Sequence, residues 1–392
     1  MSDALMREES RPAPAPAAKA KRTEAGFNCA AHGLRGIAAL MVFSAHLLGG
    51  SAEHVYQDHS AYVQFVLRPW QFGVYGVYLF FTISGFVILP SVLRYSTGQF
   101  ALRRFLRLYP LFLTLTLLFV LLNAVTNAYP DLNNWPTILA GVTFTNLFWH
   151  TEQLTPNAWS LTFEVIFYSL TCLAVTLLVK KRNWLLGGLT LLLSAAFLVY
   201  YPVAIYFLAG LGIRVLYDRG IVARRELSWP LEAAAFLSCV YFGSSGWFAY
   251  TPADMSNPVA IGTILSTAAY FYFAVSPGSL TGRLLSGPTM AYLGTVSYSL
   301  YLVHPYTYYA MRMLFVEMGL FTNHIALSML LFFLVTTPLT LLVTHVVHHL
   351  VELGPYQWFF RQRIYRFRGT SGAGSSAAQS QPGRSAAAAQ DA

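Results

Sequence analysis

The sequence predicts an all-α, polytopic membrane protein of about ten transmembrane helices with both termini in the cytoplasm, and three observations predict it. Of 392 residues, 56% are hydrophobic and 10% charged, and the mean hydropathy is +0.50, against about 25% charged in a soluble domain. The apolar residues fall in runs of the roughly 20 needed to cross a bilayer. The basic residues gather in alternate connections, as the positive-inside rule requires. The formal net charge of +9 is thus read as topology. It is not read as a nucleic-acid surface, because the basic residues form no stripe interleaved with aromatics.

Taken in order, residues 1–26 are rich in Ala, Pro and charge and lack the apolar core of a signal peptide, which predicts a disordered basic cytoplasmic tail. Apolar runs separated by polar breaks then predict spans at 30–50, 71–92, 108–127, 158–179, 184–200, 202–218, 229–247, 257–276, 289–313 and 325–350. The segment 137–149 is apolar but too short to cross, so it is expected at the interface or as a re-entrant piece. The membrane domain is expected over 27–366. Residues 367–392, rich in Gly, Ser and Ala, are expected to form a second disordered cytoplasmic tail.

The Lys/Arg distribution tests this order. With the N-terminus inside, every one of the 25 Lys and Arg residues except Arg35, Arg68 and Arg312 falls in a predicted inner segment. The predicted outer loops carry Glu53, Asp58, Asp131, Glu152, Asp254 and Glu317 instead. Cys29, Cys172 and Cys239 stand in apolar surroundings without CxxC spacing, so neither a disulfide framework nor a zinc site is encoded.

An ionisable group in a spanning helix costs at least about 2.5 kcal/mol on insertion scales, which makes each one a candidate functional residue. In the first span Arg35 and His46 are eleven positions apart, about 20° from whole helical turns, so they share a face about 16 Å apart along the axis. They are either an interface anchor and a bundle histidine, or two ends of a functional stripe. The fourth span runs inward and places Glu164 roughly 9 Å below the outer surface, near the depth of His46. The two are expected to pair, the carboxylate orienting the imidazole for general-base work; a plain interhelical contact is the alternative. Ser160, Glu164 and Phe167 form one stripe, as do Ser297, Tyr301 and His304 in the ninth span. His345, His348 and His349 share a face of the tenth span, but no Cys or carboxylate completes a metal set within the motif, so no metal site is expected. Arg103, Arg104 and Arg107 mark the entry of the third span, either as positive-inside charge or as a phosphate grip.

These residues sit in segments that run in one order: GLRGIAALMVFSAH, GVYLFFTISGFVI, RRFLRLYP, NAWSLTFEVIFY, FLAGLGI and LGTVSYSLYLVHP. In that order they resemble the membrane acyltransferase 3 family, bacterial O-acyltransferases that modify sugars and similar acceptors. Two positions depart from the family pattern: His32 stands where an Asp is usual, and Tyr78 where an acidic residue is usual.

The resemblance implies a multi-pass protein of the bacterial inner membrane that transfers an acyl group, acetyl above all, from cytoplasmic acyl-CoA to a hydroxyl of a carbohydrate-type acceptor. It implies no tightly bound cofactor. Arg103, Arg104 and Arg107 would hold the CoA phosphates, and His46, Glu164 and Arg35 would form the catalytic set. Trp159, Ser160, Ser297, Tyr301 and His304 would line the acceptor. A secondary transporter or flippase is the rival class, and a repeat between 30–200 and 200–350, which such folds often carry, is not seen. A non-catalytic interaction protein would leave the intramembrane Arg35, His46 and Glu164 without a role.

Overall fold

The computed structural model describes residues 27–155, 157–223 and 225–360. The two expected tails, 1–26 and 367–392, lie outside them. Among the described residues all regular structure is helical. In chain order the helices are α1 (Cys29–His54), α2 (Ser60–Val74), α3 (Gly76–Arg94), α4 (Thr97–Thr126), α5 (Trp135–Val142), α6 (Asn146–Trp149) and α7 (Trp159–Ala174). There follow α8 (Trp184–Tyr200), α9 (Ile205–Asp218), α10 (Arg225–Gly243), α11 (Pro258–Val275), α12 (Leu280–Leu284), α13 (Pro288–Glu317), α14 (Ile325–Val347) and α15 (Gly354–Phe360). Two π-helical stretches, Val175–Lys180 and His348–Leu353, extend α7 and α14.

The helix ends follow local chemistry. Asn28 caps α1 by accepting from the Ala31 amide at 3.0 Å, and its own amide donates to the Val275 carbonyl at 2.9 Å, which ties the start of α1 to the end of α11. Ser96 and Gln99 close α4 with a capping box. Lys180 donates to the Val92 and Tyr95 carbonyls at 2.7 and 2.6 Å, satisfying groups that the end of α3 leaves open.

Among the described residues six helical stretches are long and apolar enough to cross a membrane: Cys29–His54, Ser60–Arg94, Thr97–Thr126, Trp159–Lys180, Pro258–Val275 and Ile325–Phe360. The pair α8 and α9 passes that test together but bends by 116° at the break before Pro202. The expected count was ten. Helices stand at all ten expected places, but α10 and α13 are diluted by polar residues, and α8 and α9 are each shorter than a full crossing. Segment 137–149 folds as α5 and part of a turn leading into α6, neither of crossing length.

Close helix crossings depend on glycine. On Gly36 a Cβ would come within 2.7 Å of the Leu293 Cβ and 2.8 Å of the Gly294 amide, so α1 and α13 touch backbone to backbone. Gly85 of α3 and Gly210 of α9 face each other's carbonyl neighbours, Phe207 and Thr82, in the same way. Small residues at such crossings let main chains approach where no water-driven collapse exists. The first crossing brings together the residues described next.

Candidate active site

His46 stands on α1 and His304 on α13, each about three turns beyond the Gly36–Gly294 contact on its own helix. Their rings meet edge to face with centroids 4.8 Å apart. Nδ1 of His46 lies 2.8 Å from the Val42 carbonyl, and Nδ1 of His304 lies 3.0 Å from the Leu300 carbonyl. A carbonyl only accepts, so in each neutral ring Nδ1 carries the proton and Nε2 the lone pair. His304 then presents the Nε2 lone pair to His46 Nδ1–H at 3.3 Å, a shared second acceptor for that proton. The Nε2 of His46 is left as an unprotonated base, and no group among the described residues bonds it.

His46 lines a cavity of about 1010 Å³ at the His54 end of α1, between α1, α2, α4 and α13. Its walls are chiefly apolar, with Trp70, Phe119, Leu122, Tyr306 and Tyr308 among them. His304 is fully buried behind His46 and does not line it.

Glu164 does not pair with His46. It accepts from Ser84 Oγ at 2.7 Å and from the Tyr168 hydroxyl, one turn along α7. The depth argument carried no information on the rotation of α7 about its axis. Glu164 lines a second cavity, of about 30 Å³, with Arg35, Ser84, Ser160, Tyr298 and Tyr301, room for a water or two. The two cavities share no lining residue. Arg35 and His46 therefore line different cavities.

The division between them is hydrogen-bonded. Tyr301 exchanges a bond with Ser160 Oγ at 2.8 Å and donates to the Asn157 carbonyl at 2.8 Å, while the Asn157 amide donates to the Tyr301 carbonyl. Tyr301 is also the ring between Phe80 and His304, with centroids 5.5 and 6.0 Å away. None of the five residues expected at the acceptor lines the large cavity: Ser160 and Tyr301 line the small one, His304 lies behind His46, and two others are in helix contacts. Trp159 packs edge-on against Phe81 and Phe163, and the buried Ser297 bonds the Gly294 carbonyl. Neither lines either cavity: Ser297 is turned into helix contacts on α13, and the Trp159 ring at the start of α7 into aromatic ones.

The arginines of α4 are held by aromatic rings. Arg104 lies over Tyr168 with its guanidinium carbon 4.6 Å from the centroid, and Tyr168 bonds Glu164, so a chain of contacts joins Arg104 to the small cavity. Arg103 lies over Tyr95 and Phe360 at 4.5 and 4.3 Å and donates to Tyr356 Oη at 2.9 Å. Among the described residues no carboxylate stands within 4.0 Å of Arg103 or Arg104. Rings keep the guanidinium forks oriented without neutralising them.

The three histidines at the end of α14 and its extension face different partners: His348 bonds Glu352 at 2.7 Å, with Ser299 donating to the same oxygen at 2.6 Å, while His345 meets Tyr292 Oη at 2.9 Å and packs against the His349 ring at 4.3 Å. Among the described residues no three potential metal ligands converge. Ser84, Tyr168 and Asn157 entered the site unannounced. Ser84 and Asn157 lie inside two of the ordered segments, but as small polar residues in apolar runs they carry no periodic signal of their own.

The model of a protein family described as an acyltransferase domain matches residues 30–349. No curated protein and no solved structure matches the chain.

Proposed function

The chain belongs to the acyltransferase 3 family, and from that premise we propose that it takes an acyl group, acetyl above all, from acyl-CoA and transfers it to a hydroxyl of a carbohydrate-type acceptor. The observation that carries this reading is His46, whose Nδ1 is held by the Val42 carbonyl so that Nε2 carries the lone pair, in the wall of a cavity large enough for a sugar.

The chemistry follows from the tautomer. An acceptor hydroxyl within hydrogen-bond reach of Nε2 gives up its proton as its oxygen attacks the thioester carbonyl carbon. The imidazolium that forms has Val42 O and His304 Nε2 to receive its Nδ1–H, two acceptors already in place. Collapse of the tetrahedral adduct breaks the C–S bond, and His46 returns its proton to the departing CoA thiolate. No acyl-enzyme is needed. Glu164, in place of a role at His46, belongs to the donor side with Arg35, Ser84 and Tyr301, and Arg103, Arg104 and Arg107 are the groups of the right charge and geometry for CoA phosphates. By the Lys/Arg distribution the donor side is cytoplasmic and the large cavity opens outward, in a bacterial inner membrane.

The test is free-thiol release from acetyl-CoA by purified full-length protein in lipid nanodiscs, with and without hydroxyl acceptors. Acceptor-dependent release that is lost in His46→Ala supports the reading. Absence of release with every acceptor, together with passage of a sugar or lipid across proteoliposomes, would establish the transporter class instead.

A further inference from the structure

Arg312 is one of three basic residues that the positive-inside pattern leaves unexplained, and unlike Arg35 it has no place in the donor side. It lies on α13 eight residues beyond His304, about 12 Å along the axis, and lines the large cavity. Its guanidinium carbon is 5.6 Å from the Tyr308 centroid and 5.5 Å from that of Tyr309. Among the described residues no carboxylate stands within 4.0 Å of it. Glu53, on the same cavity, is 74% exposed and lies 4.0 Å from the His54 imidazole. Arg312 Nε and the Tyr308 hydroxyl are both buried without a well-formed hydrogen bond among the described residues, and the hydroxyl stands beside the Arg312 side chain. A guanidinium with an unmatched N–H beside a phenol that can also donate is an arrangement completed by an oxyanion.

We propose that Arg312 with the Tyr308 hydroxyl forms an anion subsite of the large cavity, so that the acceptor carries a phosphate or carboxylate about two helical turns from the hydroxyl that is acylated. This rests on the reading of that cavity as the acceptor site. The wall around the subsite, with Leu67, Leu118, Leu122 and Met313, is apolar, which suits an anion borne on an amphiphile. The bidentate fork of Arg312 supplies recognition of the oxyanion, and the tyrosine faces hold that fork in the cavity.

The experiment is isothermal titration of the full chain in phosphatidylcholine nanodiscs with hexyl phosphate, hexyl β-glucoside and inorganic phosphate. Hexyl phosphate should bind at least roughly tenfold more tightly than the glucoside, as one charge-assisted contact implies. Arg312→Gln should remove that preference, Arg312→Lys should keep most of it, and Tyr308→Phe should weaken it less than Arg312→Gln. Arg312-dependent binding of inorganic phosphate as tight as that of hexyl phosphate upholds the subsite and assigns the anion to a soluble acceptor; binding of hexyl phosphate alone assigns it to an amphiphile. Equal binding of anionic and neutral probes, or a preference that survives Arg312→Gln, overturns the proposal. Because titration needs no turnover, an Arg312-dependent anion site without thiol release sinks the enzymatic reading and spares the subsite. Thiol release without anion binding does the reverse.

Discussion

The His46–His304 contact makes the sharpest prediction, because the geometry says which losses are shared. His46→Ala removes the base and should lower kcat by roughly 10²–10⁴-fold, or about 2.7–5.4 kcal/mol of barrier, with the acyl-CoA KM near wild type. His304→Phe keeps a ring in a fully buried site and removes the Nε2 acceptor 3.3 Å from His46 Nδ1. A hydrogen bond to a charged group contributes about 1.5–3 kcal/mol, which is roughly a 10- to 150-fold loss of kcat. Val42 O still holds the tautomer, which is why the loss stops there. His304→Gln restores an acceptor and should recover part of the rate. The double variant His46→Ala/His304→Phe should be no slower than His46→Ala, since His304 acts through His46. Glu164→Gln, outside this contact, should combine multiplicatively with His304→Phe. The assay is thiol release from acetyl-CoA by correctly inserted protein in nanodiscs. Substantial turnover in His46→Ala, or full multiplication of the two histidine losses, refutes the reasoning.

Other expectations follow from the rest of the site. Arg104→Ala and Arg107→Ala should raise the KM for acyl-CoA far more than that for the acceptor, and Lys at either place should rescue partly, keeping charge without the fork; a rise confined to the acceptor KM contradicts the assignment. Gly85→Ala drives a methyl against the Phe207 carbonyl and should lower stability by about 1–3 kcal/mol, read as a clear drop in the Tm of the detergent-solubilised protein, whereas Gly98→Ala, with nothing within 4 Å, should leave it unchanged. Reporter fusions after residue 370 should be active as cytoplasmic reporters, and a periplasmic signal there would contradict the inferred topology.

Much of this architecture is legible in the sequence because bilayers impose length and apolarity directly. The 26 residues of α1 contain the span expected at 30–50, and the 30 of α4 contain all but the last residue of that expected at 108–127. Helical spacing also groups Ser297, Tyr301 and His304 on one stripe, and His304 does arrive at His46. What periodicity cannot supply is how each helix is turned and tilted against its neighbours. Equal depth suggested Glu164 as the partner of His46, yet the rotation of α7 delivers that carboxylate to Ser84 and Tyr168. The same ignorance of rotation placed Trp159 and Ser297 at the acceptor, where neither stands. The close approach of α1 to α13 was written in Gly36 and Gly294, but glycines in apolar runs are too common to identify a crossing before a partner is known.

The hydrogen-bonded division formed by Tyr301, Ser160 and Asn157 bears on the membrane as much as on the reaction. A catalyst that draws a charged donor from one side and an acceptor from the other needs polar groups through most of the bilayer's thickness, and a continuous wet line of such groups would conduct protons and ions. In this chain a chamber for a water or two and the large cavity share no lining residue, and between them stands a phenol locked to neighbouring main chain. Loosening it with Tyr301→Ala would then join the compartments, so the cost of that change would appear first as leakage of membrane potential and only second as a change in turnover.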